Sequence, residues 1–213
     1  QVQHREAGEF KKDKLKVLAE LTKLRQICCD PALCFEDYTG ESAKLETCVS
    51  LIASASAAGH KILLFSQFAS MLERIRERLL QEGISSHLLV GATPKEERSR
   101  MVQAFASDEV PVFLISLKAG GTGLNLTAAD IVIHYDPWWN VAAQNQATDR
   151  AYRIGQEKPV TVYKLILKDT IEENLLKLQN AKLALAAQVV SEGMVSLGDL
   201  SQNELMELFE QNP

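Results

Sequence analysis

The 213-residue chain lacks several segments that would place it quickly in a class of proteins. It contains no G-x-x-x-x-G-K-[ST] phosphate loop, so the main cradle for a nucleoside triphosphate is missing. No apolar run approaches the ~20 residues needed to span a bilayer, and the polar start, QVQHREAGEFKKDK, lacks the apolar segment of a signal peptide. Gln1 stands where an initiator Met would be, which indicates a piece of a longer protein. We expect an intracellular protein with no membrane partner, in the cytoplasm or nucleoid of a bacterium or the nucleus of a eukaryote.

Cysteine is scarce, and its spacing does not suggest a metal site. The four cysteines are Cys28, Cys29, Cys34 and Cys48. No Cys-x-x-Cys pair occurs and His4 is isolated, so a zinc site is not expected. The pattern is typical of reduced, buried thiols in a cytosolic or nuclear protein. We therefore predict no metal ligands in this chain.

Positive charge is also in short supply, because the net charge of −5 is not that of a typical nucleic-acid binder. The charge is unevenly distributed, however. Residues 171–213 hold seven acidic residues and two lysines, which accounts for the whole net charge and leaves residues 1–170 neutral. A local basic patch can therefore still form in the first 170 residues. Its candidate members are Lys118, Arg150, Arg153, Lys158 and Lys164.

The sequence does contain a regular alternation of short apolar runs and segments with helical periodicity. Five apolar runs predict buried strands, at residues 61–66, 87–90, 112–116, 131–135 and 160–167. Strands that alternate with helices at this spacing are typical of an α/β fold. We therefore predict a doubly wound, mainly parallel sheet with helices on both faces.

Further helical segments flank this alternating region. Residues 9–30 and 42–58 predict two helices before the first strand. Thr170 and Glu173 predict a capping box that starts a long helix after the last strand. The chain thus divides into a linking helix and loop (1–41), an α/β lobe (42–168) and a C-terminal helical appendage (169–213).

Residues 140–153 predict an alanine-rich helix that ends before Gly155. Gln146, Arg150 and Arg153 follow one another at i, i+4 and i+7, so they would share one face of that helix. Two arginines one turn apart form a stiff cationic fork that suits phosphate. The alternative interpretation is a solvated helix face whose charges have no role, which is common for surface arginines.

Polar or glycine-rich loops follow the first four predicted strands. They begin at Ser66-Gln67, at Gly91–Thr93, in the SLKAGGTGLN segment that holds Gly120–Gly123, and at Asp136. Because the carboxyl ends of parallel strands meet at one edge of a sheet, these loops should share the rim where open α/β sheets bind ligands. The glycines can turn backbone N–H groups towards an anion, and Thr122 adds a hydroxyl. A simple turn and ordinary strand-end polarity are the alternatives.

Four other features have structural interpretations. The segment Thr93–Glu96 predicts a capping box with proline at the first helical position. His134 alternates with apolar residues and is interpreted as a core histidine with a satisfied ring. Trp138 and Trp139 are interpreted as anchors of their loop against the sheet, with base stacking as the alternative. Asp108-Glu109 precedes a strand, so it is interpreted as a surface turn and not as a Mg²⁺-binding pair.

Several of these stretches together resemble one family. The run DPWWN…QATDRAYRIGQ, within residues 136–156, resembles motifs Va and VI of the Swi/Snf family of helicase-like ATPases in superfamily two. SLKAGGTGLN resembles motif V, FSQF resembles motif IV, and LRQICCDPALC resembles the helix that links the two lobes. Val141 departs from the proline that is usual in the family. The resemblance extends from about Leu24 to Phe209 and implies the second RecA-like lobe of a DNA-dependent ATPase.

The resemblance also implies roles for individual residues. Arg153 would be an arginine finger for ATP with Arg150 beside it, and Gly123, Gln146 and Asp149 would contact the nucleotide. The residues that would contact DNA are Ser66, Gln67, Thr93, Lys118, Gly120, Gly121 and Thr122.

The same resemblance implies the partners of the chain. ATP and Mg²⁺ would be held mainly by the first RecA-like lobe of the same parent chain, so this chain alone should be inactive. Further partners would be double-stranded DNA and a protein complex that the ATPase remodels. Two alternatives stay open: the equivalent lobe of another superfamily-two helicase, including an RNA helicase, and a non-catalytic interaction module.

Overall fold

The computed structural model describes residues 2–117, 119, 125–138, 141–152, 156 and 158–188, with the backbone alone at 2–14, 141–143 and 182–188. Six α-helices, one short 3-10 helix (Pro31–Leu33) and five strands are assigned in this part of the chain. The helices are α1 (Val2–Cys29), α2 (Ala43–Ala57), α3 (Ala69–Gln81), α4 (Lys95–Ser107), α5 (Val141–Thr148) and α6 (Ile171–Gln188). The strands are β1 (Ile62–Ser66), β2 (Ser86–Leu89), β3 (Val112–Ser116), β4 (Ile131–His134) and β5 (Thr161–Lys164).

The five strands form one parallel sheet in the order β2-β3-β1-β4-β5. The strand β1 lies at the centre, and all five of its residues are buried. Side chains of a strand alternate between the two faces of a sheet, so β1 supplies both layers of the core. The predicted doubly wound α/β architecture, with helices on both faces, is therefore confirmed.

Each face of the sheet carries its own apolar cluster. Ile62 and Leu64 of β1 pack with the buried residues of α2 and α3, such as Ile52 and Ile75. Leu63 and Phe65 point the other way and pack with Phe105 of α4 and with Ala147 and Ala151. The small alanines let the segment after β4 lie close to the sheet.

The helices α1 and α6 flank the lobe and pack against each other. Leu21 of α1 and Leu175 of α6 are both 1% exposed and form the centre of this contact. The α1 helix begins at Val2, seven residues before its predicted start. Residues 189–213 of the predicted C-terminal helical appendage lie outside the described residues.

Two predicted helix caps differ from the structure. The α4 helix begins at Lys95 after Pro94, and Thr93 Oγ1 instead accepts from Val90 N at 3.1 Å, across the preceding turn. The capping-box prediction for α4 is wrong, because Pro94 has extended backbone (ψ 151°) and takes the N-cap position without a side-chain cap.

The predicted box at α6 is present in altered form. Thr170 Oγ1 accepts from Glu172 N at 3.2 Å, while Glu173 Oε2 reaches back to Asp169 N at 2.9 Å rather than to Thr170 N.

The end of α5 also differs from the prediction. The helix stops at Thr148, five residues before Arg153. Arg150 N and Ala151 N bond to the carbonyls three residues back, so the chain tightens into turns. Leu126 N donates to Arg150 O at 3.2 Å, so the Arg150 carbonyl is bonded to a segment outside the helix. Arg150 therefore lies in the turn after α5 and does not share a regular helix face with Gln146.

Candidate functional site

The carboxyl ends of the central strands meet at one edge of the sheet, as predicted. Ser66 of β1 pairs with Ser116 of β3, and Phe65 pairs with His134 of β4. The segments that follow these strands stay bonded to β1, because Leu117 N donates to Ser66 O and Tyr135 N donates to Phe65 O, each at 2.9 Å. The loops after β1, β3 and β4 therefore begin side by side at this rim.

Asp136 is the centre of a buried polar cluster at the rim. Its side chain is 1% exposed and accepts from Ser66 Oγ at 2.5 Å, Gln67 Nε2 at 2.5 Å and Gln67 N at 3.3 Å. Ser66 is fully buried and Gln67 half-buried, so both predicted DNA contacts face Asp136 in this structure. Sequence reasoning gave Asp136 no role, although an acidic residue directly after a buried strand was a usable signal.

Arg25 of α1 joins the same cluster from the other side. Its guanidinium Nη2 donates to Pro137 O at 2.5 Å and lies 4.0 Å from Asp136 Oδ2. Its guanidinium carbon also lies 5.9 Å from the centre of the Phe68 ring. Burial lowers the pKa of Arg25, and the Asp136 carboxylate opposes that shift. Sequence reasoning missed Arg25, because the partner that explains a buried arginine is 112 residues away.

Arg98 of α4 ties two further rim loops together. Its side chain donates to Thr93 O at 2.8 Å and to Gly91 O at 2.9 Å, in the turn after β2. It also donates to Ala119 O at 3.3 Å, just before the glycine loop. Thr93 and the flank of that loop are thus brought together as predicted, through an arginine that the sequence pattern did not reveal. Lys118 and Gly120–Gly123, which include Thr122, lie outside the described residues.

The residues predicted to contact nucleotide occupy different environments. Gln146 and Asp149 are exposed, whereas Arg150 is 2% exposed. Arg153 and Gly123 lie outside the described residues. The structure therefore places Arg150 inside the lobe, next to the buried Ala147 and Ala151, rather than on a solvent-facing fork.

The loop before α5 is bonded to the helix that follows it. Trp138 N donates to Oε1 of Gln144, a residue of α5 that is 3% exposed. The Trp138 side chain is partly buried against the apolar cluster beneath α4 and α5, which confirms its interpretation as an anchor. Trp139 lies outside the described residues.

His134 is a core histidine, as interpreted, but the prediction that its ring is fully satisfied is wrong, because the buried Nδ1 has no hydrogen-bond partner among the described residues. It is 1% exposed, stacks on Phe65 with ring centroids 5.7 Å apart, and contacts Thr148 Oγ1 through Nε2 at 2.9 Å. Because Thr148 Oγ1 donates to Gln144 O, it accepts from His134, which fixes the neutral ring with its proton on Nε2. Burial, with a smaller contribution from Lys164, lowers the pKa of His134 to about 4.

Asp108 is more than the surface turn that was predicted. It is partly buried at the opposite edge of the sheet, where its carboxylate meets His87 Nε2 at 2.6 Å and Lys61 Nζ at 3.4 Å. Hydrogen bonds from His87 and Lys61 help to hold the pKa of Asp108 below its ordinary value, although partial burial acts against them. This carboxylate makes structural contacts at the amino ends of the strands, whereas the rim lies at their carboxyl ends.

The cysteines are free thiols, and the described residues form no metal-binding cluster. All four cysteines are free, with three of them buried and Cys34 partly exposed, and burial raises the pKa of Cys48 to about 12. No group of three or more His, Cys, Asp or Glu side chains in the described part of the chain is placed to hold a metal ion. None of the described helices is long and apolar enough to cross a bilayer.

Comparison with known proteins gives a consistent family. Residues 43–155 match the helicase conserved C-terminal domain. The chain is 34% identical over 215 residues to the mouse SWI/SNF-related matrix-associated actin-dependent regulator of chromatin subfamily A member 1, which covers 93% of this chain and 21% of the mouse protein. Across three other curated relatives the chain also spans only 19% to 22% of their length.

Solved structures agree with this match. The Sulfolobus solfataricus SWI2/SNF2 ATPase C-terminal domain superposes with a TM-score of 0.74 at 34% identity, over 95% of this chain and 84% of that one. The SWI2/SNF2 ATPase core of the same organism, solved in complex with double-stranded DNA, superposes with a TM-score of 0.76 at 35% identity. That match covers 95% of this chain and 43% of the core.

Proposed function

The chain belongs to the helicase conserved C-terminal domain family, in its Swi/Snf branch, and on this basis we propose that it is the second motor lobe of an ATP-dependent double-stranded-DNA translocase. In this proposal the chain supplies an arginine finger and DNA-backbone contacts to a two-lobed ATPase. The first lobe of the parent chain holds most of the nucleotide. The SWI2/SNF2 matches favour this function over that of an RNA helicase lobe.

The observation that carries the proposal is the assembled rim. Ser66, the Gly91–Thr93 turn and the segment at Ala119 are bonded into one edge by Asp136 and Arg98. That edge lies at the carboxyl ends of the parallel strands, where open α/β sheets bind ligands. The related SWI2/SNF2 core was solved with double-stranded DNA, which supports DNA as the ligand of this chain as well.

Burial separates the roles of the two arginines. Arg150 is 2% exposed, so we assign it to holding the turn after α5 from within the lobe. Arg153, three residues on, is the proposed finger. A guanidinium placed there can donate two parallel N–H groups to phosphate oxygens and stabilise the charge that develops on them. Gln146 and Asp149 are exposed and remain candidates for nucleotide contact.

The residues present fit a partial ATP site rather than a complete one. The sequence has no phosphate loop, while the segment after α5 offers cationic and polar groups suited to phosphate. ATP, with its Mg²⁺, supplies the transferable phosphoryl group when it is bound between the two lobes. The remaining proposed partner is a protein complex that the translocase remodels.

The glycine loop gives a direct test of the DNA contacts. In the full-length protein, Thr122→Asp should weaken nucleotide-free DNA binding, because it places a carboxylate where phosphate would lie. The loss should be about equal for unrelated DNA sequences, since phosphate contacts carry no base information. Affinity is measured by fluorescence anisotropy over a salt series.

A matched control is Ser85→Asp, which adds the same charge at an exposed position before β2, on the opposite edge of the sheet. Its DNA affinity should stay close to that of the unchanged protein. If Thr122→Asp and Ser85→Asp bind DNA equally well, the glycine loop is not part of the DNA site. A protein whose parent chain binds DNA but never hydrolyses ATP would instead be a non-catalytic module.

A further inference from the structure

Two side chains from distant parts of the chain hold neighbouring carbonyls of the loop before α5. Arg25 of α1 donates to Pro137 O at 2.5 Å. Gln179 of α6 donates through Nε2 to Trp138 O. Arg25 is 2% exposed and Gln179 is 6% exposed, so both bonds are shielded from water. The two donors lie 112 and 41 residues from their acceptors, so local chain geometry does not account for either bond.

The helices that carry these donors form a rigid frame. They pack together through Leu21 and Leu175. The Lys44 ammonium of α2 bonds both carboxylate oxygens of Glu172 of α6, at 2.6 and 2.7 Å, and Glu172 is fully buried. The end of α1 is fixed to the sheet because Tyr135 Oη donates to Cys29 O at 2.8 Å. A loop bonded to both helices therefore takes its position from this frame.

The loop passes that position on to the segment that follows it. Trp138 N donates to Gln144 of α5 at 3.2 Å, so the loop and the helix are bonded directly. Gln144 is 3% exposed. Its backbone carbonyl accepts from the hydroxyl of Thr148, which lies two residues before Arg150 in the chain. Hydrogen bonds thus run from α1 and α6, through residues 137–138, to Gln144 and Thr148 of α5, just before the turn that holds Arg150.

We propose that Arg25 and Gln179 are positioning residues for the segment after α5: by fixing the Pro137 and Trp138 carbonyls they fix the loop to which α5 is bonded, and with it the described turn at residues 149–152 that precedes the proposed finger Arg153 in the chain. This inference rests on the proposed function, because it assumes that Arg153 acts on ATP. A carbonyl at a loop can be satisfied by water. Hydrogen bonds from two remote helices also fix the position of these carbonyls. Such positioning matters because a displacement of catalytic groups by about 1 Å can lower the rate of a reaction strongly.

Gln179→Met in the full-length protein tests the proposal most cleanly. The substitution keeps the length and most of the volume of the side chain and removes the amide group, and with it the donor to Trp138 O. We expect kcat of the DNA-stimulated ATPase to fall by roughly tenfold, within the range that small misplacements produce. Nucleotide-free DNA affinity should stay within about twofold, since this contact does not face DNA in the proposed arrangement.

The matched control is Asn180→Met, which exchanges an exposed amide on the next residue of the same helix. It should leave kcat unchanged. Arg25→Met should behave like Gln179→Met, and Arg25→Lys, which retains one donor for Pro137 O, should recover part of the lost rate. If Gln179→Met does not fold, Gln179→Asn is the alternative variant. It keeps the amide but shortens the side chain by one methylene, so that the amide no longer reaches Trp138 O.

Combination with Arg153→Ala separates a positioning role from simple destabilisation. A residue that acts through Arg153 should have little further effect once Arg153 is gone. If Gln179→Met lowers kcat by the same factor in both backgrounds, or does not lower it at all while Arg153→Ala does, the positioning role is overturned and the proposed function stands. If Arg153→Ala itself keeps normal kcat, the proposed function falls and this inference falls with it.

Discussion

Asp136 illustrates how one buried carboxylate organises a site. Its two oxygens take donors from Ser66 and Gln67, and Arg25 lies 4.0 Å away. A buried carboxylate without such partners would be strongly unfavourable. With them, it fixes the end of β1, the loop after β4 and the end of α1 relative to one another. Ser66 and Gln67 therefore shape the rim from beneath.

His134 makes the stability of the lobe depend on pH. Its pKa in the folded chain is about 4, below the ordinary value of 6.5, because burial disfavours the imidazolium. The unfolded chain therefore binds a proton that the folded chain does not between these pH values. The resulting stabilisation is fully present above pH 6.5 and is lost progressively as the pH falls towards 4.

The variant His134→Gln tests this linkage. Glutamine keeps an N–H donor for Thr148 but does not titrate, so the free energy of unfolding should fall less steeply between pH 6.5 and pH 4.5 than in the unchanged protein. At neutral pH the variant should be less stable, because the stacking on Phe65 is lost. Urea unfolding at pH 7.0, 6.0, 5.0 and 4.5 measures both effects. An identical slope for the two proteins would show that His134 does not carry the pH dependence.

At the scale of secondary structure, the pair Lys44–Glu172 is the main polar link between α2 and α6. The Glu172 carboxylate also accepts from Leu167 N at 2.9 Å, so it closes the turn that leads into α6. Burial raises the pKa of Glu172 despite the adjacent Lys44. Removing one partner leaves a buried charge without its counter-charge, which costs much more than the intact pair contributes.

Lys44→Met should destabilise the lobe by about 3–5 kcal/mol at neutral pH. The double variant Lys44→Met/Glu172→Gln should recover part of that loss, because the neutral amide keeps an acceptor for Leu167 N and needs no counter-charge. Urea unfolding of the two single variants and the double variant gives the coupling between the residues. Losses that simply add would mean that the pair does not act as a unit.

Sequence patterns predicted helices and strands well where the residues of the helix or strand are enough to determine its structure. The run Lys61–Ser66 is apolar with polar ends, and β1 occupies nearly all of it. The predictions that failed depend on contacts that the helical pattern does not encode, one of them between distant segments and the other within a single turn. The end of α5 is set by Leu126 N on Arg150 O, and the Thr93 hydroxyl is taken up by Val90 N. Periodicity along a helix holds no information about such partners.

The candidate site shows the same limit. The glycine-rich and polar loop ends were predictable, because parallel strands place their carboxyl ends together. The residues that join those loops, Arg25, Arg98 and Asp136, were not, because their partners lie up to 112 residues away in sequence. The roles given to Arg153, Thr122 and the other rim residues from family resemblance stay predictions until they are measured.

At the scale of the whole molecule, the chain is about a fifth of the length of its curated relatives. Under the proposed function, ATP hydrolysis requires a first lobe in addition to this one, so kinetic experiments use the two-lobed protein. Within this chain, charge is strongly segregated. Residues 191–213, which lie outside the described residues, contain five acidic residues and no Lys or Arg.

Deletion of residues 191–213 should leave DNA affinity unchanged or slightly raised, because it removes negative charge from a protein that binds a polyanion. The measurement is a salt titration of DNA binding by the full-length protein with and without the segment. Replacing its five acidic residues with their amides is the matched control for charge alone. A clear loss of affinity in a folded deletion variant would show that the segment contacts DNA.

The proposed finger is tested most directly by steady-state kinetics of Arg153 variants in the two-lobed protein. Arg153→Ala and Arg153→Lys should both lower kcat of the DNA-stimulated ATPase by about 10² or more, since lysine keeps the charge but loses the planar pair of donors. Nucleotide-free DNA affinity, measured on the same preparations, should be unchanged. Normal kcat together with weakened DNA binding in Arg153→Ala would instead place this arginine on the DNA and contradict its assignment as the arginine finger.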